Sequence, residues 1–392
     1  MTTVEQKPAG TTWPAVYEVP PARGPIRARV TVPGSKSITN RALVLAARWP
    51  GWCRVRGALW AEDTEVMVES LRRLGFAVRV MPEADEPANR TIEVEGRGGE
   101  IPASRAELYV GNAGTAARFL TALVCRGHGE YRIYGDARMH ERPMGELFRA
   151  LGIEGERLPV TIRARGMKPG RFVIRGEESS QFASALLLAG HEVETEPHPY
   201  VEMTRRMMRE FGPEYEVEPD LSSASYFEAA GWVTGGAVEI ARRPVESLQV
   251  DGRFRDFLGA LGAEGPPLRV SRARELGDSA MTLAVCAVFG RRVLELVEAG
   301  RMRLQECDRL RALATELGRI GARVEERADE LVVWPTDAGQ LRGAEIETYR
   351  DHRMAMCFAV VGLKIPGVRL REPACVRKTF PNFFEKWEAM LQ

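Results

Sequence analysis

The side chains best suited to chemistry gather where polar residues run into apolar, helix-like stretches. Ser35-Lys36-Ser37 leads into one such stretch, with Arg41 about one turn inside it. Gly111-Asn112-Ala113-Gly114-Thr115 opens a second and Ser179-Ser180-Gln181 a third. A helix N-terminus attracts an anion through its free N–H groups and macrodipole, and glycine lets the backbone approach a ligand closely. Each segment alone reads equally well as a solvated turn or a plain N-cap; three at corresponding points weigh more. The second half offers other groups. Gly277-Asp278-Ser279 brings a carboxylate to a helix start, and Gln305-Glu306-Cys307-Asp308-Arg309 leads into another. Tyr349-Arg350-Asp351-His352-Arg353 and Lys378-Thr379-Phe380-Pro381 precede two more. Hydroxyls, amides, Lys36 and Arg41 on one side, with carboxylates, Arg309, Arg353 and Lys378 on the other, suit an anion-binding cleft between two domains.

Those segments recur on a common element. Small and apolar residues at helical spacing follow a Ser, Thr, Asn or His at 39–47, 115–124, 180–189, 222–230, 279–289 and 352–361. Short apolar strands follow most copies, as at 131–134, 293–296 and 368–370. A second, amphipathic helix then closes on Leu74-Gly75, Leu151-Gly152, Phe211-Gly212, Leu261-Gly262 or Ile320-Gly321, where a left-handed glycine cap is expected. Strand-like runs come next at 76–80 and 330–333, and a helix at 383–391 ends the chain. The pattern predicts six βαβα-type units, three to a domain, with a boundary near 218–221 and a shortened third unit. An α/β protein with coincidental glycine caps is the plain alternative.

Bulk properties narrow the function. A chain of 392 residues is long for one core. A net charge of +1 gives no global attraction to nucleic acid or an anionic membrane, so any basic site must be local. The six cysteines are dispersed without a Cys-x-x-Cys pair, as expected for reduced thiols in the cytoplasm. Residues 1–10 are polar and do not read as a signal peptide, and the apolar run near 281–289 is too short to cross a bilayer. Neither glycine-rich segment matches a nucleotide motif, and the histidines are too scattered for a metal centre. No cofactor or metal is expected.

From residue 25 onward the chain resembles the EPSP synthase family (3-phosphoshikimate 1-carboxyvinyltransferases). The resemblance rests on Pro-Gly-Ser-Lys-Ser-x-x-Asn-Arg at 33–41, Gly-Asn-Ala-Gly-Thr-Ala at 111–116 and Arg-Met-x-Glu-Arg-Pro at 138–143. Ser-Ser-Gln-Phe at 179–182, Ser-Ala-Ser-Tyr-Phe at 223–227, Asp-His-Arg-Met-Ala-Met at 351–356 and Lys-Thr-Phe-Pro at 378–381 follow in order. It implies an α/β fold: a two-domain inside-out α/β barrel, each domain built of three βαβαββ units. The lower domain would combine residues 1–33 and 219–392, and the upper would span 34–218. It also implies roles. Lys36, Ser37, Arg41, Ser179, Ser180 and Gln181 match positions that hold shikimate-3-phosphate; Asp278, Arg301 and Gln305 belong to the same side. Lys36, Gly114, Arg138, Gln181, Arg309, Arg353 and Lys378 match those around phosphoenolpyruvate. Asp278 and Glu306 match the acid–base carboxylates, with Lys36 and Lys378 stabilising phosphate or relaying protons. The two substrates are the only partners implied, and a monomer is expected.

Departures from the family pattern fall on the acceptor side. The usual Arg-Val-Lys-Glu-Ser/Thr-Asp-Arg is here Arg303-Leu304-Gln305-Glu306-Cys307-Asp308-Arg309, so an acceptor-binding Lys is Gln305. A nearby Asn of the usual pattern is Arg301, which returns a positive charge; an acceptor-contacting Ser aligns with Pro197; Phe119 follows Arg118 where Pro is common; and unit three lacks a hairpin. An ordinary family member compensated by Arg301, a relative retuned to another acceptor, and a non-catalytic scaffold all remain open. Arg-Met-His-Glu-Arg-Pro at 138–143 lacks the reactive Cys of cell-wall enolpyruvyl transferases.

Overall fold

The computed structural model describes residues 13–392, so the polar stretch read at 1–10 lies outside it. Helices carry most of the interior. In the first half they are α1 (Lys36–Arg48), α2 (Glu62–Arg73), α3 (Gly114–Val124), α4 (Ala137–Glu141), α5 (Gly145–Leu151), α6 (Gln181–Leu188) and α7 (Pro199–Glu210). In the second they are α8 (Leu221–Thr234), α9 (Phe254–Leu261), α10 (Ala280–Ala287), α11 (Arg309–Arg319), α12 (His352–Gly362) and α13 (Phe383–Met390). The six recurrent segments became α1, α3, α6, α8, α10 and α12. Buried over most of their length, they are interior helices: α3, α10 and α12 are buried at every residue. By contrast, α11 buries Leu310, Leu313 and Leu317 at helical spacing and turns its other face outward. Among the described residues no helix is long and apolar enough to cross a membrane.

Mixed sheets surround these helices. Strand Glu214–Glu216 lies beside Pro50–Leu59, followed by Asn89–Arg97 and Ala77–Pro82. Arg105–Tyr109 runs parallel to His128–Tyr134, which pairs antiparallel with Val160–Arg165. The second half repeats that arrangement. Leu268–Ser271 runs parallel to Leu294–Val297 in the register Ser271↔Val297, and Leu294–Val297 pairs antiparallel with Leu331–Val333. Buried apolar residues form two clusters. One joins Tyr17, Val19, Ile26, Val30 and Val32 to residues 221–387; the other draws on residues 38–217.

Two chain segments meet where the clusters part. Ser35 N–H donates to Glu218 O at 2.8 Å, Asp220 N–H donates to Pro33 O at 2.8 Å, and Gly34 bridges Pro219 in antiparallel fashion. A side chain at Gly34 would collide with the Gly57 carbonyl, which explains the glycine there. Asp220 caps α8 through Ser223 N–H at 2.7 Å and also accepts from Lys36 N–H at 3.3 Å. One carboxylate thus starts a helix on each side of the crossing.

Two glycine expectations need correction. Gly75, Gly152 and Gly321 adopt positive φ after their helices, as expected, whereas Gly262 has φ −80° and Gly212 is not left-handed. Helix α7 ends on extended Phe211 because the chain runs directly into Glu214–Glu216, which pairs with Arg54–Arg56. The short link after Gly212 is therefore a strand of the first sheet.

Candidate active site

The N-cap residues of α1, α3 and α6 (Ser35, Ala113 and Ser180) make no side-chain capping bond, while Lys36 N–H goes to Asp220 at 3.3 Å and Gln181 N–H to Ser179 Oγ at 3.2 Å. These starts and the loops before α10 and α11 line one cleft, with Lys36, Ser37, Gly114, Ser179, Ser180 and Gln181 on one wall and Asp278, Arg301, Gln305, Glu306 and Arg309 on the other. The space left is about 100 Å³, well below the roughly 300–1,000 Å³ of a typical ligand pocket.

The cleft's own charges fill it. Asp278 pairs with Arg353 at 2.8 Å, Arg272 at 2.9 Å and Arg309 at 3.4 Å. Burial alone would raise its carboxyl, but Arg353, then Arg309, Arg272 and Lys36, outweigh it and hold the group below the usual carboxylate range. Glu306 pairs with Lys378 and with Arg309, both at 2.8 Å. Burial again opposes ionisation, and Lys378 followed by Arg309 and Arg142 overcomes it, so its pKa is also depressed. The surrounding cations therefore favour the carboxylate form of both groups.

Buried side chains hold these groups in place. Asp351 caps α12 and grips Arg309 at 2.7 and 3.1 Å, both residues being interior. Bidentate geometry fixes the guanidinium plane, and unpairing a buried charge of this kind costs roughly 3–5 kcal/mol. Asp251 performs the matching task for Asp278, accepting from Gly277 N–H and Ser279 N–H at 3.0 Å and from the Ser279 hydroxyl. Asp63, at the start of α2, holds Lys36 Nζ at 2.9 Å and stands 3.8 Å from Lys378 Nζ. Among the described residues no group of three or more His, Cys, Asp or Glu is placed to hold a metal ion.

A family model described as EPSP synthase (3-phosphoshikimate 1-carboxyvinyltransferase) matches residues 21–214 and 212–387. The chain belongs to the EPSP synthase family. A 3-phosphoshikimate 1-carboxyvinyltransferase of Nostoc punctiforme is 37% identical, with 96% of this chain and 99% of the relative aligned. The corresponding protein of Laribacter hongkongensis is 40% identical over 93% and 97%. The EPSP synthase structure from Acinetobacter baumannii superposes with a TM-score of 0.72 at 22% identity, covering 96% of this chain and 98% of that one. The enolpyruvyl transferase NikO from Streptomyces tendae gives 0.69 at 17% identity, covering 96% of each. These two share the α/β fold.

Most family-matched positions converge on the cleft, though not all face it. Arg41 lines the cleft, yet it is 1% exposed and spends four of its five N–H donors on Thr204, Ser37 O, Ser184 and Tyr200 O. Arg138 spans the gap, donating to Gln305 O at 2.8 Å and Glu306 O at 3.2 Å, and does not line the cavity. Arg353 and Lys378 reach it through Asp278 and Glu306. Gln305 directs its side-chain oxygen to Arg309 at 2.7 Å.

Sequence reasoning missed Asp63, Arg118, Arg142, His198, Tyr200 and Arg272, all of which line the cleft. A signal existed for Arg118: it lies four residues after Gly114, just as Arg41 lies four after Ser37. Arg118 donates to Gln181 at 2.7 Å, and burial, then its neighbour Arg142, pushes its pKa down to about 9. Arg142 lay inside a quoted motif without being assigned a role. Nothing local marked His198 or Arg272.

Proposed function

We propose that this chain transfers the carboxyvinyl group of phosphoenolpyruvate to the 5-hydroxyl of shikimate-3-phosphate and releases phosphate. The observation that carries the reading is the pair of carboxyl groups, Asp278 and Glu306, ion-paired with cations in one cleft opposite Lys36. Asp278 takes the hydroxyl proton as the oxygen bonds to C2. C3 receives its proton from the Lys378 ammonium, giving a tetrahedral intermediate, and the proton that Glu306 later removes restores that ammonium. Glu306 then removes a proton from the new methyl group, the C2–phosphate bond breaks with its electrons leaving on phosphate, and the double bond reforms. The hydroxyl proton leaves on the departing phosphate, relayed by Lys36. Such acid–base groups typically contribute about 10²–10⁴-fold each.

The same reading supports the finer architecture. Six buried helices and two apolar clusters fit an inside-out barrel pair of three βαβαββ units each, divided at 33/34 and 218/219. In this reading phosphoenolpyruvate lies near Gly114, Arg309, Arg353 and Lys378, and shikimate-3-phosphate near Ser37, Ser179, Ser180 and Gln181. Arg41 shapes the acceptor floor, and Arg138 exchanges its carbonyl partners for substrate. The enzyme works as a cytoplasmic monomer without cofactor, metal, nucleic acid or membrane.

Incubating the protein with both substrates and following phosphate release tests the proposal. Gln305 and Arg301 favour one competing reading, a changed acceptor, which predicts release only with another alcohol. No release with any acceptor would instead mark a scaffold.

Gly114 gives a sharper test of the phosphoenolpyruvate side. A Cβ there would lie 2.6 Å from Arg142 Nη2, and the flexible guanidinium can yield. Gly114→Ala is therefore expected to fold normally and raise KM for phosphoenolpyruvate about tenfold, with KM for the acceptor little changed. Steady-state kinetics with each substrate varied in turn checks it; equal changes in both constants would contradict the placement.

A further inference from the structure

Arg272 has no role assigned so far, and Arg301 has been placed on the acceptor side without a stated contact. Arg272 follows the strand Leu268–Ser271, and Arg301 lies in the turn Gly300–Leu304 just beyond its parallel neighbour Leu294–Val297. Adjacent strand ends thus bring two like charges together, with Arg272 N–H anchored on Val297 O at 2.9 Å. Arg272 is only 8% exposed, and among the described residues its one ion pair is Nη2 to Asp278 Oδ1 at 2.9 Å. Arg301, partly buried, makes no ion pair or hydrogen bond with any described residue. The carboxylates in its vicinity are committed elsewhere: Glu298 to Arg274 and Ser271, Glu146 to the N–H groups of Arg175 and Gly176, and Asp329 to Gly300 N–H. Burial and Arg272 both lower the pKa of Arg301. A half-buried, mutually repelling pair is unfavourable unless an anion lies between the two.

His198 adds a neutral donor to the same cleft. Its Nδ1 accepts from Tyr200 N–H at 3.2 Å, which puts the imidazole proton on Nε2. That nitrogen is buried without a partner. Burial, then Arg301, Arg272 and Arg41, depresses its pKa to about 3, so the ring stays neutral. Ser37, Ser179 and Ser180 line the same space. Two guanidinium groups, an N–H and hydroxyls make a donor set for a dianionic phosphate.

We propose that Arg272 and Arg301 form a two-arginine clamp for the acceptor's phosphate, with His198 Nε2–H as third donor, doing here what a lysine at position 305 would do. The clamp rests on the reading of shikimate-3-phosphate as acceptor. Calorimetric titration of the parent, Arg272→Gln and Arg301→Gln with shikimate-3-phosphate, and separately with unphosphorylated shikimate, tests it. Each substitution is expected to weaken shikimate-3-phosphate binding ten- to a hundredfold, the scale of a charge-assisted hydrogen bond, while shikimate binding changes less than threefold. Adding Gln305→Lys to Arg301→Gln should restore about tenfold of the loss, which a misfolded protein could not do. Variants that keep their affinity for shikimate-3-phosphate, or lose affinity for shikimate equally, overturn the clamp and leave the acceptor reading standing. A parent that binds no shikimate-3-phosphate overturns both.

Discussion

Asp278→Asn is expected to lower kcat by roughly 10²–10⁴-fold, the contribution of a positioned proton acceptor, without weakening substrate binding. The amide keeps the shape of the side chain but leaves Arg353, Arg309 and Arg272 facing no negative charge. The empty variant should therefore melt at a lower temperature than the parent. Phosphoenolpyruvate, or inorganic phosphate, should restore more stability to it than to the parent, because an anion replaces the missing carboxylate. Thermal melts with and without phosphate, beside single-turnover kinetics, read both effects. Near-parent turnover would remove Asp278 from the proton-transfer role.

The parent's pH response follows from the same contacts. Asp278 and Glu306 have folded pKa values below their ordinary 3.8 and 4.5. The stability they contribute is therefore fully present above about pH 4.5 and is lost as pH falls below the ordinary values toward the depressed ones. Melting temperatures between pH 6 and pH 3 should fall in the parent and fall less in Asp278→Asn. Parallel curves would show that Asp278 contributes nothing to acid sensitivity.

Lys36→Met is expected to cost about 10³-fold or more in kcat/KM for both substrates. Lys36 stands at the first turn of α1 and is held by Asp63 at 2.9 Å, with Lys378 Nζ 3.8 Å from the same carboxylate. Removing it deprives the acceptor of a cation in a chain whose position 305 is neutral, and leaves buried Asp63 with the longer Lys378 contact alone. Lys36→Arg should recover substrate affinity better than kcat, since guanidinium restores the charge but not the point geometry of an ammonium. Equal recovery of both constants would reduce Lys36 to a binding cation with no part in proton transfer.

The six interior helices were legible because all-round apolar stretches with polar starts leave few alternatives at that length. Cleft residues within a turn of those starts were legible for the same reason, and Arg118 would have been found by repeating the offset of Arg41. Gly262 and Gly212 were misread because a glycine after a helix permits a left-handed cap without requiring one. At Phe211 the following strand, fixed by pairing with Arg54–Arg56 far away in sequence, decided the exit. Arg272 and His198 were invisible for a related reason. One depends on the Ser271↔Val297 register and the other on capping α7, and neither partner is visible from the residue itself. Arg138 shows the opposite limit: the motif was plain, yet its hydrogen bonds to Gln305 O and Glu306 O arise only when the two walls meet.

The reciprocal hydrogen bonds between Pro33–Ser35 and Glu218–Asp220 also govern how the cleft can open. A single tether would leave two bodies free to tilt, twist and slide. Two antiparallel tethers bonded to each other resist sliding and twisting, leaving chiefly a swing about one axis. Such a swing is expected to return Arg138 to the same two carbonyls and Lys378 to the same carboxylate, so that the connection itself sets how the two walls align.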